Sequence, residues 1–187
     1  MKKSLKLLVF FILLIFIYLF FAFQYNRLVS LDQQVKSAWA QVENVYQRRN
    51  DLIPNLVEIV KGYAKHEKDL FISVTEARSQ WQKAKTLQEK EKAAGQIDGA
   101  IERLLLVVEN YPELKASNNF LSLQDELAGT ENRIAVERRN YNSAVEKYNR
   151  FAKSFPAFLF VKVFGFDSEK AYFQATEQSS KTPAIKF

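Results

Sequence analysis

Residues 7–23 read LLVFFILLIFIYLFFAF, without one charged side chain. A helix of about 20 apolar residues crosses the hydrocarbon core of a bilayer, within a working range of roughly 17–25. The stretch meets the lower limit, and Leu5 with the aliphatic stem of Lys6 extends it. Its Leu, Ile, Phe and Val residues are those that insert most favourably. A cleaved signal peptide needs a shorter apolar region and small residues at its cleavage site. Here the exit is Phe21-Ala22-Phe23-Gln24-Tyr25, and the chain has no cysteine to accept a lipid. The pattern predicts an uncleaved anchor at 7–23, so the remainder is read as a body tethered to a membrane.

Lys2, Lys3 and Lys6 precede the span, whereas Arg27 is the nearest cation after it, followed by Lys36. The positive-inside rule then keeps residues 1–6 in the cytoplasm and sends the body across the membrane, into the periplasm or, in an organism with one membrane, outside the cell. Tyr25 is placed for an interfacial aromatic belt. Removing the span leaves roughly 160 residues, enough for one domain with its own core. Five Gly and four Pro in 187 residues, with many charged and helix-favouring residues, predict an all-α body. Half of the net charge of +6 comes from the three leading lysines, and no dense Lys/Arg run follows. That argues against nucleic acid as a partner. Without cysteine there are no disulfides and no thiol chemistry.

A heptad pattern begins at Leu28. Leu28, Val35 and Val42 fall on one seam, and Leu31, Ala38, Val45 and Leu52 on the other. Arg49 stands where the next apolar residue belongs. Pro54 is unfavourable inside a helix and comfortable in the first turn of a new one. The spacing therefore predicts a break at 51–54, with one kinked helix as the alternative because the heptad phase continues through Leu56. A second helix carries Leu56, Val60, Tyr63, Leu70, Val74, Ala77 and Trp81, interrupted by Glu67. Residues 83–92 read as a solvated connection. A third helix carries Ile97, Ile101, Leu104, Val108 and Tyr111, ended by Pro112. Gly95 and Gly99 lie on one face at its start, suited to close helix approach or simply a weak helix end. Ser117, Asn118 and Asn119 are N-cap candidates for a fourth helix, in which Phe120, Leu127, Ile134, Tyr141, Tyr148 and Phe155 keep a seven-residue period.

Four amphipathic helices with short links predict an antiparallel up-and-down four-helix bundle over 24–154. The Phe-rich segment 155–187 then arrives back at the membrane end of the bundle. Within it, Phe158, Phe160, Phe164 and Phe166 join Tyr25 as a candidate membrane interface, with a core-capping role as the alternative. Tyr172-Phe173 and the terminal Pro183-Ala184-Ile185-Lys186-Phe187 read as a docked tail.

These residues also resemble a known family. Ala38-Trp39-Ala40-Gln41-Val42-Glu43-Asn44, Gln47-Arg48-Arg49-Asn50-Asp51-Leu52-Ile53-Pro54-Asn55-Leu56-Val57 and Lys61-Gly62-Tyr63-Ala64 carry the first half of the likeness. Tyr111-Pro112-Glu113-Leu114-Lys115, Glu131-Asn132-Arg133-Ile134, Arg138-Arg139-Asn140-Tyr141-Asn142, Tyr148-Asn149, Phe155-Pro156 and Phe164-Gly165-Phe166 carry the second. The sequence is similar to LemA proteins over nearly its whole length. The resemblance implies one N-terminal transmembrane helix and a long antiparallel helical bundle. It implies no agreed catalytic residues. Proximity of some members to membrane proteins with a TPM domain implies a class of partner.

Candidate chemistry is sparse. His66-Glu67 suggests a metalloprotease helix, but position 70 is Leu and His66 is the only histidine, so no two-histidine zinc face exists. A Ser/His/Asp triad and a Gly-rich phosphate loop are likewise missing. The expectation is no catalytic, metal or cofactor site, and a non-enzymatic protein. Charged residues within the apolar seams are more informative. Arg49, Glu67, Glu131 and Arg138 interrupt the seams and form paired polar layers that fix register, or else Arg48, Arg49, Asp51, Arg138 and Arg139 surround a partner-binding groove. Trp39 and Trp81 are expected in the core. The functional expectation is an interaction or scaffold module bound to membrane lipid and to another envelope protein. The alternatives are a homo-oligomer that braces the membrane, and an accessory subunit of a membrane protease or TPM-domain protein.

Overall fold

A computed structural model describes the backbone of residues 2–64 and 66–174, with side chains from Ser4 onward. The described chain is all-α, with no strand among the described residues. Four long helices, α1 (Lys2–Tyr63), α2 (Lys68–Lys83), α3 (Leu87–Val108) and α5 (Asn118–Lys153), are supplemented by two single turns, α4 (Pro112–Lys115) and α6 (Ala157–Phe160). Two compact units result. One holds residues 2–40 and 140–172, the other residues 41–139 and 173–174, so that α1 and α5 contribute to both.

The largest departure from the sequence expectation is at Pro54, which lies inside α1 with no break at 51–54. The reversal falls instead after α1, where the Ala64 N–H bonds back to Val60 to close that helix and Glu67, whose N–H bonds to the Ala64 carbonyl, opens α2. Burial explains the difference. Interior Pro costs about 3 kcal/mol. Ile53, Leu56, Val57 and Val60 are all buried, and each full burial stabilises by about 1.5–3 kcal/mol. The seam 28, 35, 42, 49, 56 stays buried across the proline, so continuing the helix is favoured over breaking it. The helix nonetheless keeps a flaw at this point. Pro54 has no N–H for the carbonyl of Asn50, and the buried Asn50 side-chain amide has no hydrogen-bond partner among the described residues.

The connection expected over 83–92 is only residues 84–86. Thr86 is the N-cap of α3: its hydroxyl accepts from the Glu89 N–H at 3.2 Å, and the Glu89 carboxylate accepts from the Thr86 N–H at 3.0 Å. This reciprocal capping box starts α3 at Leu87, ten residues before its first large buried side chain, Ile97. Backbone hydrogen bonds from Lys85 and Thr86 hold the Glu89 carboxyl below its ordinary pKa. Gly95 and Gly99 lie inside α3, and a Cβ at either would meet no atom within 4 Å, so neither provides a close helix approach. Among the N-cap candidates of α5, Ser117 is the one used, its hydroxyl accepting from the Phe120 N–H at 3.4 Å.

In the second unit, Tyr46 packs on Trp81 and Lys61 lies over Phe71, which makes α2 antiparallel to α1. Glu43 meets Lys90 and Arg49 meets Asp98, so α3 runs with α1. Glu131 of α5 reaches the same Arg49, while Arg138, further along α5, lies level with Glu91 of α3 through Gln174. α5 is thus antiparallel to α3, as expected for an up-and-down bundle. The core of this unit is Val42, Ile53, Leu56, Val60, Val74, Trp81, Ile97, Leu104 and Ile134.

In the first unit, Leu28 and Val35 of α1 are buried, as are Tyr141, Val145, Tyr148 and Ala152 of α5. Phe155 leaves the seven-residue seam that its spacing suggested. α5 ends at Lys153, and Phe155 is 80% exposed. Residues 4–20 of α1 are uncovered along their whole length, and the helix is long and apolar enough to cross a membrane.

Candidate functional site

The first unit builds two features at the end of the apolar stretch. α6 and the residues after it fold back on α1 through aromatic contacts: Phe160 on Phe21 at 4.8 Å, Phe164 on Tyr25 at 5.3 Å and Phe166 on Tyr25 at 6.0 Å. The same segment turns Phe155, Phe158, Leu159 and Val163 outward, with Val163 77% exposed. The expected set of Tyr25, Phe158, Phe160, Phe164 and Phe166 therefore divides. Phe160, Phe164 and Phe166 hold the segment to α1, and only Phe158 belongs to the outward face. Phe155, Leu159 and Val163 complete that face. The sequence pattern did not single them out, because an apolar run without a clear period does not say which side chains point out.

The second feature is a strap, residues 167–172, held along α5 by polar side chains. Tyr148 donates to the Asp167 carbonyl at 2.6 Å and Tyr141 to the Ala171 carbonyl at 3.0 Å. Asn149 donates to the Lys170 carbonyl at 2.9 Å and accepts from its N–H at 2.7 Å. Lys170 also reaches Asp32 at 3.0 Å and Asp167 at 2.6 Å, while Lys36 meets Asp32 at 2.8 Å. Burial opposes the charged form of Asp32, yet the hydrogen bonds from Lys36 and Lys170 outweigh it and lower its pKa. Burial likewise opposes charge on Lys170, but its two carboxylate partners prevail and raise its pKa.

The second unit holds the polar cluster. Arg49, with a side chain only 9% exposed, pairs with Asp98 at 2.6 Å and with Glu131 at 3.0 Å, both about half-exposed. The cluster closes one end of a groove between α3 and α5, a cavity of about 540 Å³ whose apolar surface comes from Ile101, Leu105, Leu106, Leu127 and Ala128. Asp98, Glu102, Glu109 and Glu131 line it as well. Beside it, burial raises the pKa of the Tyr46 phenol to about 12, so it stays protonated at neutral pH.

Of the charged seam residues, the structure brings Arg49 and Glu131 together as a polar layer and adds Asp98, which the seam pattern does not mark because it is exposed on α3. Arg138 is engaged elsewhere, donating to the Gln174 carbonyl at 2.8 Å and lying over the Phe173 ring. Asp51 accepts from Gln47 at 2.9 Å. Arg48 and Arg139 are exposed, and half-buried Glu67 is the N-cap residue of α2 without a side-chain capping bond. Trp81 is buried against Tyr46, Trp39 is half-buried against Tyr141, and His66 is an exposed turn residue. Of the expected tail, Phe173 is buried while Tyr172 is exposed; residues 183–187 lie outside the described residues.

An all-α fold among the described residues, with one helix long and apolar enough to cross a membrane and a strap and an ion cluster bracing the rest, defines a helical protein with one candidate membrane span. It belongs to the LemA family, whose profile matches residues 38–187. The chain is similar to magnetosome protein MamQ 2 of Paramagnetospirillum magneticum, 26% identical over 87% of this chain and 68% of the relative. It is 22% identical to magnetosome protein MamQ of Magnetospirillum gryphiswaldense over the same shares. With protein LemA of Metamycoplasma hominis the identity is 28%, over 75% of this chain and 65% of the relative.

Two stability predictions follow from these geometries. A carboxylate whose folded pKa is depressed stabilises the fold above its unfolded pKa, and that contribution is lost as pH falls through the folded value. Asp32→Asn should therefore cost about 1–3 kcal/mol at neutral pH and flatten the acid limb of stability below about pH 4, read by thermal melts of helicity in detergent. An unchanged acid limb would contradict the pairing. Arg49→Leu leaves two half-exposed carboxylates that water can solvate, and should be neutral or stabilising. The double change Asp98→Ala with Glu131→Ala strands a buried guanidinium and should cost about 3–5 kcal/mol. Equal losses in both variants would refute this asymmetry.

Proposed function

We propose that this LemA-family protein is a non-enzymatic, membrane-anchored envelope protein whose helical body acts as an interaction or scaffold module. In this reading residues 7–23 span the bacterial inner membrane, residues 1–6 stay in the cytoplasm, and residues 24–187 are periplasmic or extracellular. The flanking lysines support that orientation. Residues 155–166 give the body a second contact with lipid, and another envelope protein is the partner of the remaining surface.

The observation that carries the reading is the outward apolar face of Phe155, Phe158, Leu159 and Val163, fastened by Phe160 to Phe21 of the apolar stretch. Large exposed side chains grouped in this way are costly in water and favourable at a lipid boundary. Their attachment to the end of the span supports that depth. A second reading, homo-oligomeric assembly that braces the membrane, is favoured by the uncovered flank of residues 4–20, which suits packing between spans as well as lipid.

Phe158→Trp in phosphatidylcholine bilayers separates the two. The added fluorescence, measured against the parent protein, should be quenched by lipid brominated high on the acyl chain and be little affected by aqueous acrylamide. Quenching by neither agent would contradict lipid contact and favour a face covered by a second copy. Quenching by acrylamide alone would refute both uses of this face.

A further inference from the structure

The groove between α3 and α5 has a chemistry that specifies its occupant. Its α3 wall runs from Asp98 to Glu109, about 16 Å or three helical turns. Its α5 wall carries Gln124, Leu127, Ala128 and Glu131. Leu106, on the α3 side, is 63% exposed. Two antiparallel helices with an apolar trough between them accept the apolar face of a third helix.

Charge narrows the choice. Four carboxylates line the groove, Asp98, Glu102, Glu109 and Glu131, against one guanidinium, Arg49. Arg49 is nearly buried and shared between Asp98 and Glu131, so one end keeps an excess of negative charge, which Glu102 increases one turn further on. At the other end Glu109 lines the groove and pairs with the exposed Lys115 at its rim, at 2.5 Å. A second copy pairing groove to groove would set these rims against each other, and like charges brought together across an interface are costly.

We propose that the α3–α5 groove is a docking site for a cationic amphipathic helix of a partner protein. The occupant places apolar side chains on Leu105, Leu106 and Leu127 and brings Lys or Arg to both ends, spaced about eleven residues apart to match Asp98 and Glu109. This rests on the interaction-module reading above and gives that module a face and a class of ligand.

The probe is a labelled 16-residue helical peptide with Leu at i+4, i+7 and i+8 and Lys at i and i+11. It is titrated by fluorescence anisotropy against the full-length protein in phosphatidylcholine nanodiscs, with empty nanodiscs as the blank. Saturable binding is expected, weakened at least tenfold by Leu106→Asp and at least fivefold by Glu102→Lys, both exposed positions. A peptide with Glu in place of Lys should not compete. No saturable binding, indifference to both variants, or equal binding of the Glu peptide would each overturn the proposal. Photo-crosslinking in cells from Ile72 on α2 is the independent arm. A specific partner captured there, with no probe binding at the groove, would overturn the groove and leave the interaction-module reading standing.

Discussion

The buried seam of α1 is the constraint on which the other elements depend. Leu28, Val35, Val42, Arg49 and Leu56 recur every seventh residue and are all buried. In the second unit α2, α3 and α5 each bring contacts to this seam or beside it, at Tyr46, Glu43 and Arg49. Because the seam persists past Pro54, the helix does too, and the first reversal of the chain is displaced to the link between α1 and α2. The local flaw at Asn50 and Pro54 is tolerated because several fully buried aliphatic side chains outweigh one missing hydrogen bond.

Polar side chains take the second role, fixing what the apolar seams leave undetermined. Tyr141, Tyr148 and Asn149 belong to the segments that carry the family resemblance, and in the first unit they clamp the backbone of the strap. Arg138, from the same segments, holds Gln174 in the second unit. These residues read as architecture: they hydrogen-bond main-chain groups, the carbonyls of Asp167, Lys170, Ala171 and Gln174 and the N–H of Lys170, which a strand or helix would otherwise have satisfied. Arg49 is the corresponding device in the bundle. A guanidinium at a seam position can bridge two helices, and it accepts no shift of register without losing one carboxylate.

Much of this was legible in the sequence. The apolar stretch, the all-α class, the up-and-down order and most buried positions follow from hydrophobic period alone, as Val74, Ile97, Ile134 and Tyr148 illustrate. The family followed from specific motifs. Where the structure departs from the sequence pattern, local and tertiary terms compete. Pro54 is a breaker locally and is overruled by burial. Residues 87–92 are charged and read as a connection, yet the Thr86/Glu89 capping box was present as a start signal. The partner of Arg49 on α3, Asp98, was not legible because an exposed aspartate on an amphipathic helix looks like any other. Nor does a run such as FPAFLFVKVFGF reveal that Phe160 points in and Val163 out, since its three-dimensional course is set by the aromatic contacts to Phe21 and Tyr25.

The persistence of α1 through Pro54 can be measured directly. The chain has no cysteine, so spin labels on cysteines placed at exposed Asn44 and Glu58 report on that helix alone. Pulsed dipolar spectroscopy of the full-length protein in nanodiscs should give one narrow distribution, with the two backbone sites about 21 Å apart as fourteen residues of unbroken helix require. A separation below about 15 Å would mean that the chain turns back at the proline, contrary to the helical rise expected there, and would remove the seam on which the packing of α2, α3 and α5 is built.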